Sequence, residues 1–531
     1  MEANCTYLSY KQTGYFSKLV VDYLNADDKL KPFYKHPVNI DGIQQSINAR
    51  KQFPQQREIL VQQLQQQYNN ITVSLKLSEN IELLLQENTF TVTTAHQPNI
   101  FTGPLYFIYK ILHTIKLADT LKQQLPEYNF VPVYYMGSED ADLDELGSIS
   151  IDGVLYTWQT KQTGAVGRMK VDNAFISLMG SMHGQLGVLP FGKEIVDLFT
   201  KVYTKGKTIQ QATLELINSL FGEYGLVIVI PDNPELKKLF HSVIEKELKE
   251  QFSHKAVKPT LDALDQLYKV QAGGRELNLF YLIDDKRERI EVEGSAFKVL
   301  SLGLSFSLEE ILIELNNHPE RFSSNVILRG VFQETILPNI AFIGGGGELA
   351  YWLELKNVFD AADVPYPMLV LRNSFLLADE KLKQKTESIG LQLQDLFLSE
   401  HELMNAVVAK QSTNQFSLNG ELKKVEDLYN AMGAVAGNVD TTLQNHVTAL
   451  KAKAIRRLQE LEKKMLRAEK RKFETERSQL VKIKTALFPN NNLQERVENL
   501  SGIYGRYGKE IIDIFLQHSL SLEQQFAIIT L

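Results

Sequence analysis

TFTVTTAHQPNIFTGPLYFIYK (89–110) and NFVPVYYMGSEDADLDEL (129–146) decide the fold of this chain. The first stretch begins with alternating threonine and apolar residues, which is typical of a strand. It breaks at Gln97, and Pro104 then opens an apolar helix, because a proline at the first helical position has no N–H to leave unpaired. The second stretch is an apolar strand that ends in acidic residues. Strand, helix and strand in this order predict a right-handed βαβ unit with two parallel strands.

The flanking sequence predicts that this unit belongs to a larger α/β core with a parallel sheet. GLVIVIPDNPELKKLF (225–240) predicts a buried strand and a helix, and PYPMLVLRNS (365–374) predicts another strand. SNVILRGVFQETILPNIAFIGGGGELAYWLEL (324–355) is expected to supply strands, a glycine loop and a helix. NLFYLIDDKRERIEVEG (278–294) predicts a hairpin that turns at Asp284-Asp285.

Four segments are predicted along the chain. Residues 1–89 form N-terminal helices that pack on the core, and residues 90–375 form the core itself, with an insertion at about 147–223. Residues 376–487 form an antiparallel helical coiled-coil arm, and residues 488–531 form helices that return to the core. In the arm, apolar residues recur every three or four positions, as in a coiled coil; they are Leu443, Val447, Leu450, Ala454, Leu458, Leu461, Met465 and Ala468. Gly433, Gly437 and Asn438 are expected to mark the bend between its two helices.

Composition excludes several classes of protein. The 531 residues are 44% hydrophobic and 23% charged, as in a globular protein with a substantial core. A formal net charge of −7 argues against general affinity for nucleic acid. The single cysteine, Cys5, cannot form an internal disulfide framework or a zinc site based on several cysteines. We find no signal-peptide pattern and no window of about 20 apolar residues, so no membrane association and a cytoplasmic location are expected.

Polar residues follow the first strand and open the next helix. Free N–H groups at a helix start can hold an anion, and a histidine there can act as a proton donor or phosphate ligand near neutral pH. Tyr106 and Lys110 lie one helical turn apart, so Lys110 could reach back toward the loop. The alternative is that the polar residues of this loop only cap the helix. The candidate substrate-binding residues here are His96, Gln97, Asn99, Thr102, Gly103, Tyr106 and Lys110.

GSEDADLDEL (137–146) places five carboxylates directly after the second strand. Such a cluster could bind Mg²⁺ through oxygen atoms, hold a substrate ammonium group or provide a general base. The spacing does not match an EF-hand loop, and no dedicated metal-ligand motif is present. The simpler alternative is a solvated acidic turn. We predict Glu139, Asp140 and Asp142 as the catalytic residues.

A third polar group occupies 328–352. Arg329, Gln333 and Glu334 stand among apolar residues, so they are expected to pair with each other or with a ligand, because an unpaired buried charge is too costly. The glycine run that follows can form a backbone nest for a carboxylate or phosphate. It is neither a P-loop nor a G-x-G-x-x-G motif. The substrate-binding candidates are Arg329, Gln333, Glu334, Gly344, Gly345, Gly346, Gly347, Glu348, Tyr351 and Trp352.

These strings together resemble one family. AHQPNIFTGPLYFIYK, VPVYYMGSEDAD and VFQETILPNIAFIGGGGELAYWLEL are similar to the cysteine-adding enzymes of bacillithiol biosynthesis, the BshC family, and the segment LFPNNNLQERVENL (487–500) fits it as well. The resemblance covers nearly the whole chain. It implies a Rossmann-type relative of nucleotidyltransferases whose coiled coil forms a homodimer. It also implies a ligase that adds L-cysteine to glucosaminyl-malate to give bacillithiol.

The resemblance has consequences for the chemistry. Amide formation in water needs an activated carboxylate, so ATP or another nucleotide is the expected energy source, with Mg²⁺ as a candidate companion. Familiar members carry a histidine where this chain has Ala141, and often a glutamine where it has His96. The carboxylates are therefore better catalytic candidates than a histidine.

Two rival functions stay open at this stage. One is a nucleotidyltransferase or an adenylating enzyme of the aminoacyl-tRNA synthetase type, although the His-x-Gly-His and Lys-Met-Ser-Lys-Ser strings of such enzymes are missing here. The other is a coiled-coil scaffold whose core is a vestigial ligand sensor.

Overall fold

The structure is a computed structural model that describes residues 3–414 and 417–531. Residues 1–2 of the predicted N-terminal helices and residues 415–416 of the predicted arm lie outside the described residues. Within the described residues the chain divides into two compact units. The first comprises residues 1–376 and 492–529, and the second comprises residues 377–491 and 530–531. No helix in the described part of the chain is long and apolar enough to cross a membrane.

The regular elements are as follows. The strands are β1 Asn4–Leu8, β2 Thr89–His96, β3 Asn129–Met136, β4 Ser148–Ile151, β5 Val154–Thr157, β6 Val227–Val229, β7 Leu279–Ile283, β8 Lys286–Arg289, β9 Glu291–Glu293, β10 Ala296–Val299, β11 Leu304–Phe306, β12 Phe322–Ser324, β13 Asn339–Gly344, β14 Met368–Leu371, β15 Phe375–Ala378 and β16 Phe526–Thr530. The helices are α1 Tyr10–Thr13, α2 Lys18–Leu24, α3 Ile40–Lys51, α4 Arg57–Tyr68, α5 Leu75–Leu83, α6 Leu105–Gln124, α7 Leu143–Leu146, α8 Asn173–Leu186, α9 Gly192–Val202, α10 Ile209–Phe221, α11 Pro234–Lys238, α12 His241–Glu250, α13 Phe252–Asp265, α14 Leu308–Asn317, α15 Val326–Ile336, α16 Gly346–Glu354, α17 Lys356–Ala361, α18 Glu380–Ser388, α19 Glu400–Gln411, α20 Asn419–Val439, α21 Thr442–Lys470, α22 Glu474–Leu487, α23 Leu500–Tyr507 and α24 Glu510–His518.

A five-stranded parallel sheet forms the centre of the first unit, in the order β14-β13-β2-β3-β6. Strands β2 and β3 pair from Thr89 opposite Asn129 to His96 opposite Met136. Both strands are almost wholly buried, as expected for parallel strands covered on two faces. The Rossmann-like α/β fold and its parallel βαβ unit are thereby confirmed. Because all five strands run the same way, their carboxyl ends share one edge of the sheet.

Three expectations for secondary structure are wrong in detail. The stretch before the glycine run is a helix, α15, and only β13 within 328–344 is a strand. Its apolar residues recur at helical spacing and are buried, while Asn325 caps its start. The N-terminal segment holds β1 in addition to helices, and β15 opens the predicted helical arm. The hairpin prediction is confirmed, since β7 and β8 pair antiparallel and turn at Asp284, whose φ is 52°.

The second unit contains the long antiparallel pair α20 and α21. Lys451 donates to Asn430 Oδ1 at 3.0 Å across the pair. The predicted bend is misplaced, because Gly433, Gly437 and Asn438 all lie inside α20. The chain turns at Asp440, whose carboxylate accepts hydrogen bonds from the backbone N–H and hydroxyl of Thr442, both at 2.8 Å. An aspartate whose side chain bonds the first N–H of the next helix stabilises this turn, whereas a helix can tolerate glycines in its interior.

A buried ion pair ties α3 to the amino-terminal edge of the sheet. Arg50 Nη2 lies 2.5 Å from Glu334 Oε2, and both side chains are buried. Arg50 also donates to the carbonyl oxygens of Asn339 and Glu334. The other Glu334 oxygen accepts from Gln333 at 2.9 Å and from Asn339 at 2.7 Å. Every partner of this carboxylate is therefore within the fold.

Replacing Arg50 with alanine is expected to lower the free energy of unfolding by about 3–5 kcal/mol, because Glu334 would remain buried without a counter-charge. Urea denaturation measures the change. Gln44→Ala, on the exposed face of the same helix, is the matched control and should change stability by less than about 0.5 kcal/mol. Equal stability of Arg50→Ala and wild type would contradict the structural role of the pair.

Candidate active site

A cavity of about 510 Å³ opens at the carboxyl edge of the central sheet. It lies beyond the ends of β2, β13 and β14, where parallel α/β sheets generally bind ligands. Its lining residues are His96, Gln97, Tyr106, Lys110, Glu145, Gln271, Arg329, Gly345, Gly346, Gly347, Glu348, Tyr351, Arg372 and Arg496. The three predicted polar stretches all contribute to this lining.

The cavity is electrostatically suited to an anion. Four cationic side chains line it, Lys110, Arg329, Arg372 and Arg496, against two carboxylates, Glu145 and Glu348. Helix α16 begins at the same place, so the partial positive charge of its first turn adds to that of the side chains. Carboxylate and phosphate groups are therefore the ligands that this cavity favours.

Lys110 and Glu348 form the ion pair that joins the two predicted loops. Lys110 is buried, contacts Glu348 Oε2 and donates to the carbonyl oxygen of Ala95 at 2.9 Å. Glu348 in turn accepts from the backbone N–H of Gly345 at 2.8 Å. Burial lowers the pKa of Lys110, and the charge of Glu348 opposes that change. The pair fixes the start of α16 relative to the end of β2.

Arg329 stands at one wall of this cavity, and Asp140 contacts it from just outside the lining. Asp140 Oδ2 accepts from Gln97 Nε2 at 3.1 Å and lies 3.5 Å from Arg329 Nη1. Tyr351 hydrogen-bonds to Arg329, and this contact helps to keep the pKa of the guanidinium above its usual value. Four predicted site residues from three separate stretches are therefore in mutual contact.

Arg372 is the main functional residue that the sequence reasoning missed. Its side chain is buried and donates to Ser374 Oγ at 2.9 Å and to Glu495 Oε1 at 2.8 Å. Its Nε has no hydrogen-bond partner among the described residues. A Cβ on Gly345 would lie 3.5 Å from that nitrogen, so the absence of a side chain keeps this space open for a ligand.

A usable signal for Arg372 was present in the sequence. It follows the apolar run MLVL of β14, just as Asp140 comes shortly after β3 and His96 ends β2. The rule that polar residues at strand ends form sites would have included it. Arg496 and Gln271 lacked such a signal, because the chain brings them to the cavity from irregular segments.

His96 lies at the cavity as a neutral imidazole. Its ring packs 4.7 Å from the ring of Phe107 and 5.4 Å from that of Tyr106, measured between centroids. Burial, together with the charges of Lys110 and the two nearby arginines, holds the pKa of His96 well below its usual range. An uncharged ring can donate or accept a hydrogen bond but adds no positive charge for an anion.

The predicted catalytic carboxylates have different surroundings. Glu139 pairs with Lys237 and accepts from Ser323 Oγ at 3.1 Å, which places it in a structural network. Asp142 is exposed and caps α7 by accepting from the Glu145 N–H at 3.2 Å. Asp140 lies just outside the lining, beside Gln97 and Arg329, and it lines a neighbouring cavity instead. Glu145 lines the first cavity, and its pKa is raised by burial and by the charges of Asp142 and Asp140.

The loop between β2 and α6 supports the site from behind. Asn99, Thr102 and Gly103 are not part of the cavity lining. The Asn499 side chain donates to the carbonyl oxygens of Phe101 at 2.7 Å and Gly103 at 2.6 Å. The loop needs this support because Phe101 and Thr102 have positive φ angles of 48° and 75°. The first N–H of α6, at Leu105, donates to the Glu498 carbonyl oxygen at 2.9 Å, so this helix start is already occupied.

Four further predicted residues lie outside the cavity lining. Gln333 and Glu334 are at the opposite, amino-terminal edge of the sheet. There Gln333 donates to Glu334, and Glu334 pairs with Arg50. Trp352 is buried, with its ring stacked 4.3 Å from that of Phe342. Gly344 ends β13, and a Cβ there would lie 2.8 Å from the Phe342 ring. These residues shape the core beneath the site.

No cluster of three or more potential metal ligands occurs within residues 3–414 and 417–531.

These features define a Rossmann-like α/β protein with an anion-binding cavity at the carboxyl edge of its sheet and a helical coiled coil. The chain belongs to the BshC family. Residues 1–373 match the model "Bacillithiol biosynthesis BshC, N-terminal Rossmann-like domain", and residues 375–531 match the "C-terminal coiled-coil domain" of the same family.

Relatives over the full length agree with this assignment. The chain is 41% identical to the "Putative cysteine ligase BshC" of Flavobacterium johnsoniae, and the match covers 100% of both chains. It is 40% identical to the protein of the same name from Christiangramia forsetii, over 100% of this chain and 99% of that one. A solved structure described as a putative arginyl-tRNA synthetase from Campylobacter jejuni matches only remotely, with 11% identity and a TM-score of 0.22. The match covers 80% of this chain and 99% of that one.

A buried histidine holds the strand end that carries Arg372. The Nδ1 of His113 accepts from the Asn373 N–H at 3.1 Å, and its Nε2 lies 2.6 Å from the Ser521 carbonyl oxygen. This arrangement requires the neutral tautomer with hydrogen on Nε2. Burial lowers the pKa of His113 to about 4.

The free energy of unfolding is expected to fall as the pH decreases from about 6.5 to about 4. In that window the unfolded chain takes up a proton at position 113 while the folded protein does not, which favours unfolding by up to ~3 kcal/mol. Urea denaturation at several pH values measures the slope of the free energy of unfolding against pH. His113→Asn should reduce it, whereas the exposed His183→Asn should preserve it. An unchanged slope in His113→Asn would contradict the assignment.

Proposed function

We propose that this chain is a ligase that joins the carboxylate of L-cysteine to the amine of glucosaminyl-malate, giving bacillithiol, with ATP as the energy source. The observation that carries the proposal is the cationic cavity with Arg329 at its wall and Asp140 in contact with that arginine. Both substrates bear carboxylates, and the amine of the sugar is the attacking group, so the reaction needs cations and a proton acceptor close together. The full-length relatives are named as cysteine ligases, which points in the same direction.

The cavity fits the anionic groups that this reaction brings together. Lys110, the Nε of Arg372 and the backbone N–H groups at the start of α16 would hold phosphate or carboxylate oxygens. A bound nucleotide would supply activation of the cysteine carboxylate by phosphoryl or nucleotidyl transfer. Mg²⁺ would accompany such a nucleotide through its phosphates, because the described residues offer no dedicated metal cluster.

Asp140 is the residue that we assign to proton transfer. The amine of the sugar is an ammonium ion at neutral pH and must lose a proton before its nitrogen can attack. That first proton passes to solvent. Asp140 lies beside the cavity, and Gln97 and Arg329 hold one of its oxygens in place. As the carbon–nitrogen bond forms, the bond from the carbonyl carbon to the phosphorylated oxygen breaks, the activating group leaves, and Asp140 takes up the second proton of the nitrogen. Arg329 would stabilise the negative charge on the carbonyl oxygen.

Purified protein supplied with cysteine, glucosaminyl-malate and ATP is expected to form bacillithiol, measured by mass spectrometry of the thiol product. Asp140→Asn should lower kcat by about 10²–10⁴-fold, since it removes the proton acceptor but keeps the shape. Asp144→Asn is the matched control, because Asp144 is an exposed carboxylate of the same cluster that lines neither this cavity nor the neighbouring one that Asp140 lines. Full activity of Asp140→Asn would refute the assigned role.

The nucleotide that is released distinguishes the proposed ligase from the rival enzyme, an adenylating enzyme of the aminoacyl-tRNA synthetase type. Release of AMP with cysteine alone, before the second substrate is added, would indicate an adenylating enzyme of the synthetase type. Product formation without any nucleotide would remove ATP from the proposal. A protein that binds ligand but forms no product in any mixture would support the vestigial scaffold instead.

We also propose that the coiled coil forms a homodimer. Helix α20 exposes apolar side chains at coiled-coil spacing, and their exposed fractions are 58% for Leu428, 46% for Met432, 68% for Val435 and 79% for Val439. An apolar row of this kind in water favours a partner, and a second copy presents the same row.

Leu428→Glu with Val435→Glu is expected to convert the dimer to a monomer, because each copy would place two charges in the apolar seam. Light scattering after size-exclusion chromatography measures the mass. Lys423→Glu, an exposed position off this row of the same helix, should remain dimeric. A monomeric wild-type protein at micromolar concentration would contradict the dimer.

A further inference from the structure

A second cavity, of about 810 Å³, shares a wall with the first. Arg329 lines both cavities, and Asp140, 3.5 Å from it, lines the second. The rest of the second cavity is formed by the β7–β8 hairpin, the segment before it, strand β9 and the stretch that joins β12 to α15. Ligands in the two cavities would therefore meet at the Asp140–Arg329 pair.

The hairpin presents two arginines to the second cavity in an ordered arrangement. Strand β8 places Arg287 and Arg289 on one face and Lys286 on the other, because side chains alternate along a strand. The guanidinium carbon of Arg287 lies 4.0 Å from the centroid of Phe280, and that of Arg289 lies 5.7 Å from it. Phe280 and Arg289 are also direct cross-strand partners.

Arg287 is further fixed from beneath. It is mostly buried and donates from Nε to Ser323 Oγ at 3.0 Å and from Nη2 to the Ser324 carbonyl oxygen at 2.9 Å. Two of its three nitrogens are held in this way, so the plane of the guanidinium is set before any ligand binds. A guanidinium ordered by such contacts is suited to planar carboxylates.

The charges of the second cavity differ from those of the first. Four arginines and four carboxylates line it, whereas the first cavity has four cations and two carboxylates. A chain of phosphates would meet as many negative groups as positive ones. A ligand that carries both an amine and carboxylates can match both kinds of group.

We propose that the second cavity binds the amine-bearing dicarboxylate substrate, with its carboxylates on Arg287 and Arg289 and its amine at Asp140. The inference rests on the proposed function, in which that substrate is glucosaminyl-malate. Cysteine and the phosphates occupy the first cavity. The new carbon–nitrogen bond forms beside Asp140, which receives the proton of the amine as the activating group leaves the cysteine carbonyl.

Arg289→Gln tests the site directly, because Arg289 is exposed and the change should leave the fold intact. Titration calorimetry without nucleotide should give a Kd for glucosaminyl-malate about tenfold above that of wild type, as expected for loss of one charge-assisted contact. The KM values for cysteine and ATP should stay within twofold. Phe280→Leu, which removes the ring that orders both arginines, should weaken the same ligand.

Lys286→Gln is the matched control, since it removes a charge from the opposite face of the same strand and should bind as wild type does. A Kd for glucosaminyl-malate within twofold of wild type in Arg289→Gln overturns the site. A rise in the KM for ATP instead would overturn it too, and would assign the hairpin arginines to phosphates.

Turnover by the wild-type protein decides the underlying reaction separately. If wild-type turnover is normal and the variants bind glucosaminyl-malate as wild type does, the second site is refuted and the proposed function stands. Binding of glucosaminyl-malate that Arg289→Gln weakens, in a protein without turnover, keeps the site and removes the proposed reaction.

Discussion

The buried contact between Lys110 and Glu348 is the constraint on which the cationic cavity depends. Lys110 comes from the helix that crosses between the two central strands, and Glu348 comes from the first turn of the helix after the glycine run. Each would be costly to bury alone. Together they hold the end of β2 and the start of α16 at a fixed separation, and the cavity is the space between these elements.

Much of the fold was readable from the sequence because local patterns and tertiary packing agree there. The alternating threonines of β2 and the proline before α6 specify the same unit that the sheet requires. The stretch 326–336 was harder, since a short apolar run is compatible with a buried strand or a buried helix. Its helical form depends on packing and on the Asn325 cap, and only the folded protein shows both.

The site was predictable in part, for a related reason. Polar residues at the ends of β2 and β3 correctly indicated the sheet edge, because chain order alone brings those ends together. Glu334 is also a polar residue among apolar neighbours, yet it forms an ion pair with Arg50 at the other edge of the sheet. Sequence reveals that a buried charge needs a partner but not whether the partner is a ligand or another residue. Arg496 reaches the cavity from more than a hundred residues beyond Arg372, which no local pattern encodes.

The loop beneath the cavity depends on a segment that is made much later than the loop itself. Asn499 holds the carbonyl oxygens of Phe101 and Gly103 across a sequence separation of nearly 400 residues, and Glu495 bonds Arg372 from the same short segment. During synthesis on the ribosome, the sheet and its glycine run emerge long before this segment does. The cavity therefore stays incomplete until residues 495–499 have been made, and a chain that terminates before them cannot assemble it.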